Sequence, residues 1–277
     1  MFPLFSRPSR RVACAVLLAA PLPLWAADEA TEMLTRYRSQ VTSQLIVPAL
    51  EVARFAQLVE LELQRAAKPL LSPQYLMVVD RNPDTQAGFL FWWSPAGGFN
   101  LVGASSVSTG QSGNLGHFET PLGVFEHSTV NPDFRSEGIA SADGIQVYGA
   151  KGLRVFNFGW QQVSKGWGDG TVSQIRLQMH ATDPDLMERR LGSAQSTGGV
   201  HIPASLIRLL DHHGVLDADY DQALREGRTL DVLLGDREQV RYPGRYLVVV
   251  DSGRTGRPDW SPAPFLPHRR PTTPAPG

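Results

Sequence analysis

Thiol chemistry has almost nothing to stand on in this chain of 277 residues. Its one cysteine, Cys14, lies near the start, inside an apolar N-terminal segment. A disulfide framework is therefore excluded, and stability has to come from packing. Lysine is nearly as scarce, with only Lys68, Lys151 and Lys165, which leaves few candidates for Schiff-base chemistry. Basic and acidic residues almost balance, 26 against 27, and nothing in that balance attracts nucleic acid.

What is present begins with a leader. Residues 1–26 combine Arg7, Arg10 and Arg11 with an apolar run from Val12 to Leu24, broken by Pro21 and Pro23, and end in small residues at Ala26-Ala27. That pattern suits a secretory signal peptide, and the broken run is short for a membrane span. Cleavage is expected after Ala26 or Ala27, leaving an exported chain with no stable membrane span and no cysteine. It removes three arginines and no acid, so the formal charge moves from −1 to −4. Ser9-Arg10-Arg11 leaves the general and twin-arginine export routes both open.

Periodicity divides the remainder. From 28 to 68 apolar residues recur at helical spacing (Leu34, Tyr37, Val41, Leu45, then Val52, Phe55, Val59), and Pro48 predicts a break into two helices. The segment reads as a helical cap or arm. From 73 to 250 the pattern changes to short β-rich runs: 75–80, 88–93, 99–104, 123–127, 153–158, 175–180 and 246–250. Asn82-Pro83-Asp84 and Pro95-Ala96-Gly97-Gly98 read as turns. One helix is expected from Pro203, as first helical residue, to His213, with Gly214 as its stop. A shorter helix is expected over 220–226. The fold class is mainly β (α+β) with an N-terminal helical segment, and the Pro- and Arg-rich stretch 251–277 reads as a disordered tail.

Chemistry is expected between His180 and His201. His180 ends a strand candidate, where its side chain can reach a cleft. A gap of fifteen residues separates it from Ser196-Thr197-Gly198-Gly199-Val200-His201, which runs toward the Pro203 helix. The amides of this stretch and the positive end of that helix suit an anion or a developing oxyanion. A cysteine in such a place would have a lowered pKa and attack acyl groups. None is there. His212-His213 invites a metal reading, but adjacent helix positions do not face one another and no further ligands stand at the right spacing, so no metal or cofactor is expected. His117, His127, Asp183 and Asp185 read as solvated loop residues. Trp92-Trp93, Trp160 and Trp167 read as core or cleft wall, with a carbohydrate platform as the other reading.

At these residues the chain resembles the L,D-transpeptidase family, or YkuD domain, whose signature is His, about fifteen residues, then Ser/Thr-His-Gly-Cys-aliphatic-Arg/Asn. His180, Ser196, Gly198 and Val200 match. Thr197 stands for the second histidine, Gly199 for the cysteine and His201 for the Arg/Asn. Thr120-Pro121-Leu122-Gly123-Val124-Phe125 and His180-Ala181-Thr182 resemble two further family stretches. The resemblance implies a periplasmic protein of the cell envelope with a fold of packed sheets, directed at peptidoglycan stem peptides. Family enzymes attack the third residue of a tetrapeptide stem with the cysteine, release D-alanine and pass the acyl group to an amine or water. Carried over, His180 is the base, Gly199 the nucleophile position without its nucleophile, and Ser196, Thr197, Gly198 and His201 the substrate-binding positions. The reading favoured is a non-catalytic peptidoglycan-binding or regulatory relative. The alternative is an active L,D-transpeptidase or L,D-carboxypeptidase with a substitute nucleophile.

Overall fold

In the computed structural model, which describes residues 24–111 and 113–263, two helices come first: α1 (Leu24–Gln40) and α2 (Ala49–Arg65). Pro48 stands at the N-cap of α2, where a residue without an N–H leaves no helical bond unmade. Met33 and Tyr37 of α1 and Phe55, Val59 and Leu63 of α2 are buried, each set spaced four residues apart on one helix face. The expected leader lies outside the described residues up to position 23.

Among the described residues nine strands follow, from β1 to β9: Gln74–Asp80, Ala87–Ser94, Gly98–Ser106, Gly123–Glu126, Phe134–Arg135, Arg154–Ser164, Val172–His180, Val200–His201 and Tyr246–Val250. Two further helices, α3 (Ala204–His212) and α4 (Ala218–Arg225), stand between β8 and β9. One sheet has the order β3-β2-β1-β9-β4, with β1 and β9 parallel and the other pairs antiparallel. The second has the order β5-β6-β7-β8. The fold is mixed α+β with more strand than helix.

The central strands of the first sheet are apolar on both faces, and the two-residue period of a strand sorts them. Tyr75, Met77 and Val79 of β1 and Leu247 and Val249 of β9 face a core shared with the second sheet, α1 and α3. Leu76, Val78, Val248 and Val250 face the opposite way, onto α2. So of the two expectations for the N-terminal helices, cap or arm, the structure shows a docked cap. The helices cover opposite faces of one sheet and belong to its cores.

Several local expectations change in the same way, through distant contacts. Pro203 is the N-cap of α3 rather than its first residue, while Gly214, at φ +55°, does end the helix. Strand β8 has only two residues, too short for a period to show. The stretch after Asp251 is ordered as far as residue 263. Trp260 packs against Phe55 and Phe89 with ring centroids 6.0 Å apart, and Arg257 Nη2 donates to the Pro83 carbonyl at 2.7 Å. Residues 264–277 lie outside the described residues. No described helix is long and apolar enough to cross a membrane.

Beneath the second sheet lies a buried charge network. Arg154 of β6 is fully buried; its Nε meets Asp133 Oδ2 at 2.6 Å, and its Nη2 meets Asp217 Oδ1 at 2.9 Å. Asp217 also takes Arg237 at 2.7 Å. His127 is not a solvated loop residue: it too is fully buried, with Nε2 2.9 Å from Asp133. Burial alone lowers its pKa, but the Asp133 carboxylate outweighs burial and raises it. These pairs tie β6 to the turn between α3 and α4.

Candidate functional site

Alternation along β7 puts Arg176, Gln178 and His180 on one side of the strand, and all three line a cleft of about 400 Å³. Strand β8 runs parallel to β7 with His201 in register with His180, so the two imidazoles meet with centroids 4.6 Å apart. Phe118 and Tyr148 close other sides, and the loop 195–199 forms the floor. The structure therefore brings His180, Ser196, Thr197, Gly198, Gly199 and His201 to one cavity.

His180 is only 5 % exposed, and its Nδ1–H donates to the Ala181 carbonyl at 2.7 Å. That bond selects the tautomer whose bare Nε2 accepts. Burial pulls the pKa of His180 down to about 4, although the Ala181 carbonyl favours the proton. Burial and the neighbouring His180 hold His201 well below the usual histidine value. Both rings are neutral at pH 7. Tyr148 stands edge-on to His180 at 4.8 Å and donates its hydroxyl to Gln178 Oε1 at 3.3 Å.

The loop is held from below by residues about 80 positions earlier in the chain. Ser196 N–H donates to the Thr109 carbonyl at 3.0 Å. The fully buried Thr120 Oγ1 accepts from Gly110 N–H at 2.8 Å and donates to the Gly198 carbonyl at 3.0 Å. Glycine is required at two of these places. A Cβ on Gly110 would lie 2.0 Å from the Phe118 carbonyl oxygen, and Gly198 has φ +136°. Gly199 differs: its φ lies outside the left-handed region. A Cβ there would sit 3.9 Å from His180 Nε2 and 3.0 Å from the Gln178 carbonyl oxygen. A side chain at 199 would thus start within reach of the imidazole acceptor, the proximity that a nucleophile and its base require.

Two groups expected to favour an anion are otherwise engaged. The N-terminus of α3 does not serve the loop, because β8 intervenes and the Ala204 N–H donates to Glu188 Oε2 at 3.3 Å. The Gly198 amide is already taken by Ser196 Oγ at 3.1 Å, so it is no oxyanion donor. Ser196 in turn donates to the Gly199 carbonyl at 2.6 Å and is buried, which occupies the nearest hydroxyl. Thr197 is exposed at the rim.

Elsewhere, folding brings Glu238 beside His212 and His213, whose rings touch at 4.9 Å, so the missing third ligand does exist. Yet Arg36 fills that corner, with Nη1 2.8 Å from His213 Nδ1 and Nη2 3.7 Å from Glu238. A guanidinium there opposes a metal cation. The tryptophans separate: Trp92 is core, Trp167 packs on Phe118 at 4.8 Å, and Trp160 stays 62 % exposed. Arg176, Gln178 and Tyr148 escaped the sequence reading. The first two were reachable by counting back in twos from His180; Tyr148, in a loop, carries no such signal. Neither a protein-family model nor a curated protein matches this chain.

Proposed function

We propose that this is an L,D-transpeptidase-like protein of the cell envelope, exported to the periplasm, which binds peptidoglycan stem peptides without cutting them. The single observation behind it is the place of a Cβ on Gly199, 3.9 Å from His180 Nε2. It adjoins the acceptor nitrogen of a neutral, oriented histidine in an open cleft, in the spacing that the L,D-transpeptidase signature assigns to base and nucleophile. The pattern of two sheets around a shared core fits that family's packed-sheet fold. Substitution by another nucleophile is disfavoured because Ser196 Oγ is bonded to both Gly198 and Gly199, and moving an attacking atom by even an ångström forfeits most of the alignment.

The test is incubation of wild type and Gly199→Cys with tetrapeptide muropeptides, followed by measurement of D-alanine release and intact mass. The expected outcome is binding without turnover or adduct in wild type and an acyl adduct in the variant. D-alanine release by the cysteine-free wild type would overturn the reading in favour of an enzyme.

A further inference from the structure

The cleft contains one formal charge that neither the signature residues nor the imidazoles account for. Among the described residues no acid lines it, and both histidines are neutral, so Arg176 is the only ionic group among the described residues on its walls. Two arginines with covered side chains, Arg154 and Arg237, are matched to carboxylates. Arg176 is not. Its recorded partner among the described residues is Trp160, directly opposite on β6, whose ring centroid lies 5.6 Å from the guanidinium carbon. An indole face holds a guanidinium by its quadrupole while leaving the N–H fork free. Trp160 is 62 % exposed and Arg176 is exposed too, so the pair is open to solvent.

We propose that Arg176 is the carboxylate anchor of the cleft, taking a free acid group of a peptide ligand in a bidentate pair while Trp160 steadies the guanidinium. Guanidinium and carboxylate match in shape as well as charge. Arg176 and His180 are four residues apart on one strand, about 13 Å at the usual strand rise. The acid group is therefore bound several bonds away from the atoms opposite Gly199. A neutral His201 cannot supply this charge from the other end. The peptide's identity rests on the stem-peptide reading; the preference for an acid does not.

Binding to the purified full chain is measured by tryptophan fluorescence and calorimetry, with wild type, Arg176→Gln and Arg176→Lys. The probes are a tetrapeptide stem with free carboxylates, the same peptide fully amidated, and the pair N-acetyl-alanyl-glutamate and its diamide. Circular dichroism checks that each variant is folded, and Arg176 is exposed enough to be replaced without disturbing the core. Wild type is expected to bind the acid stem at least tenfold more tightly than the amidated one. Arg176→Gln should abolish that preference while keeping the affinity for the amidated form, and Arg176→Lys should keep part of it. Equal binding of acid and amide by wild type, or a preference surviving in Arg176→Gln, overturns the anchor and leaves the stem-peptide reading standing. If no stem peptide binds but the small acid is preferred over its diamide through Arg176, the anchor stands and the stem-peptide reading falls. Absence of any acid preference with either pair overturns the anchor.

Discussion

Stability should fall on mild acidification because of one side chain, His180. Its folded pKa of about 4 lies below the ordinary value of 6.5, so between those values the unfolded chain takes up a proton that the folded chain refuses. Stability is therefore full above about pH 7 and drains as pH drops, levelling off once both states are protonated. The shift corresponds to about 3 kcal/mol lost between pH 7 and pH 4, a large share of a typical domain's stability. Other groups titrate in the same range, so the difference between two proteins is what carries the information. His180→Asn keeps an amide N–H to offer the Ala181 carbonyl and removes the titrating ring. The groups facing His180 are His201, Tyr148 and Gln178, and only His201 titrates nearby, so His201→Asn and the double variant complete a cycle. Urea unfolding followed by tryptophan fluorescence at half-unit pH steps gives the curves. Wild type should lose about 3 kcal/mol more than His180→Asn on going from pH 7 to 4. Parallel curves would refute the reasoning, because they would mean that the imidazole is solvated rather than held neutral in the cleft wall.

The remaining predictions concern the scaffold and the loop. Arg154→Met leaves Asp133 and Asp217 buried without their main counter-charge and should cost about 3–5 kcal/mol in urea unfolding, with a matching fall in Tm. Thr120→Val should cost about 1–3 kcal/mol by stranding Gly110 N–H and the Gly198 carbonyl, and hydrogen exchange should speed up at residues 196–199 more than in the central strands. Gly110→Ala should disturb the loop far more than Gly199→Ala, whose Cβ meets only the Gln178 carbonyl oxygen closely; comparison of their amide spectra distinguishes the two. In Gly199→Cys the thiol should alkylate faster at pH 7 than the same thiol in a Gly199→Cys, His180→Asn double variant, as expected when a neutral imidazole accepts its proton.

Local pattern alone determined much of this protein. The β-rich apolar runs 75–80 and 246–250, the helical spacing of Tyr37, Val41, Phe55 and Val59, and the break at Pro48 are properties of neighbouring residues, and each appears in the fold nearly where the chain announces it. The glycine at 199 and the histidine at 180 were equally legible, since residue identity at a motif position needs no folding to be read. Tertiary structure alone decided the rest. Strand β8 exists because His201 pairs with Ser108 and with His180, positions that no local period connects. The neutrality of His180 depends on burial, while the pKa of His127 is raised because the adjoining Asp133 carboxylate overrides the same effect. Whether Arg176 is paired or free, and whether the end of α3 faces the loop or Glu188, depends on which side chains folding brings within a few ångströms. Periodicity reports which face a residue turns inward; charge state and partnership depend on what is waiting there.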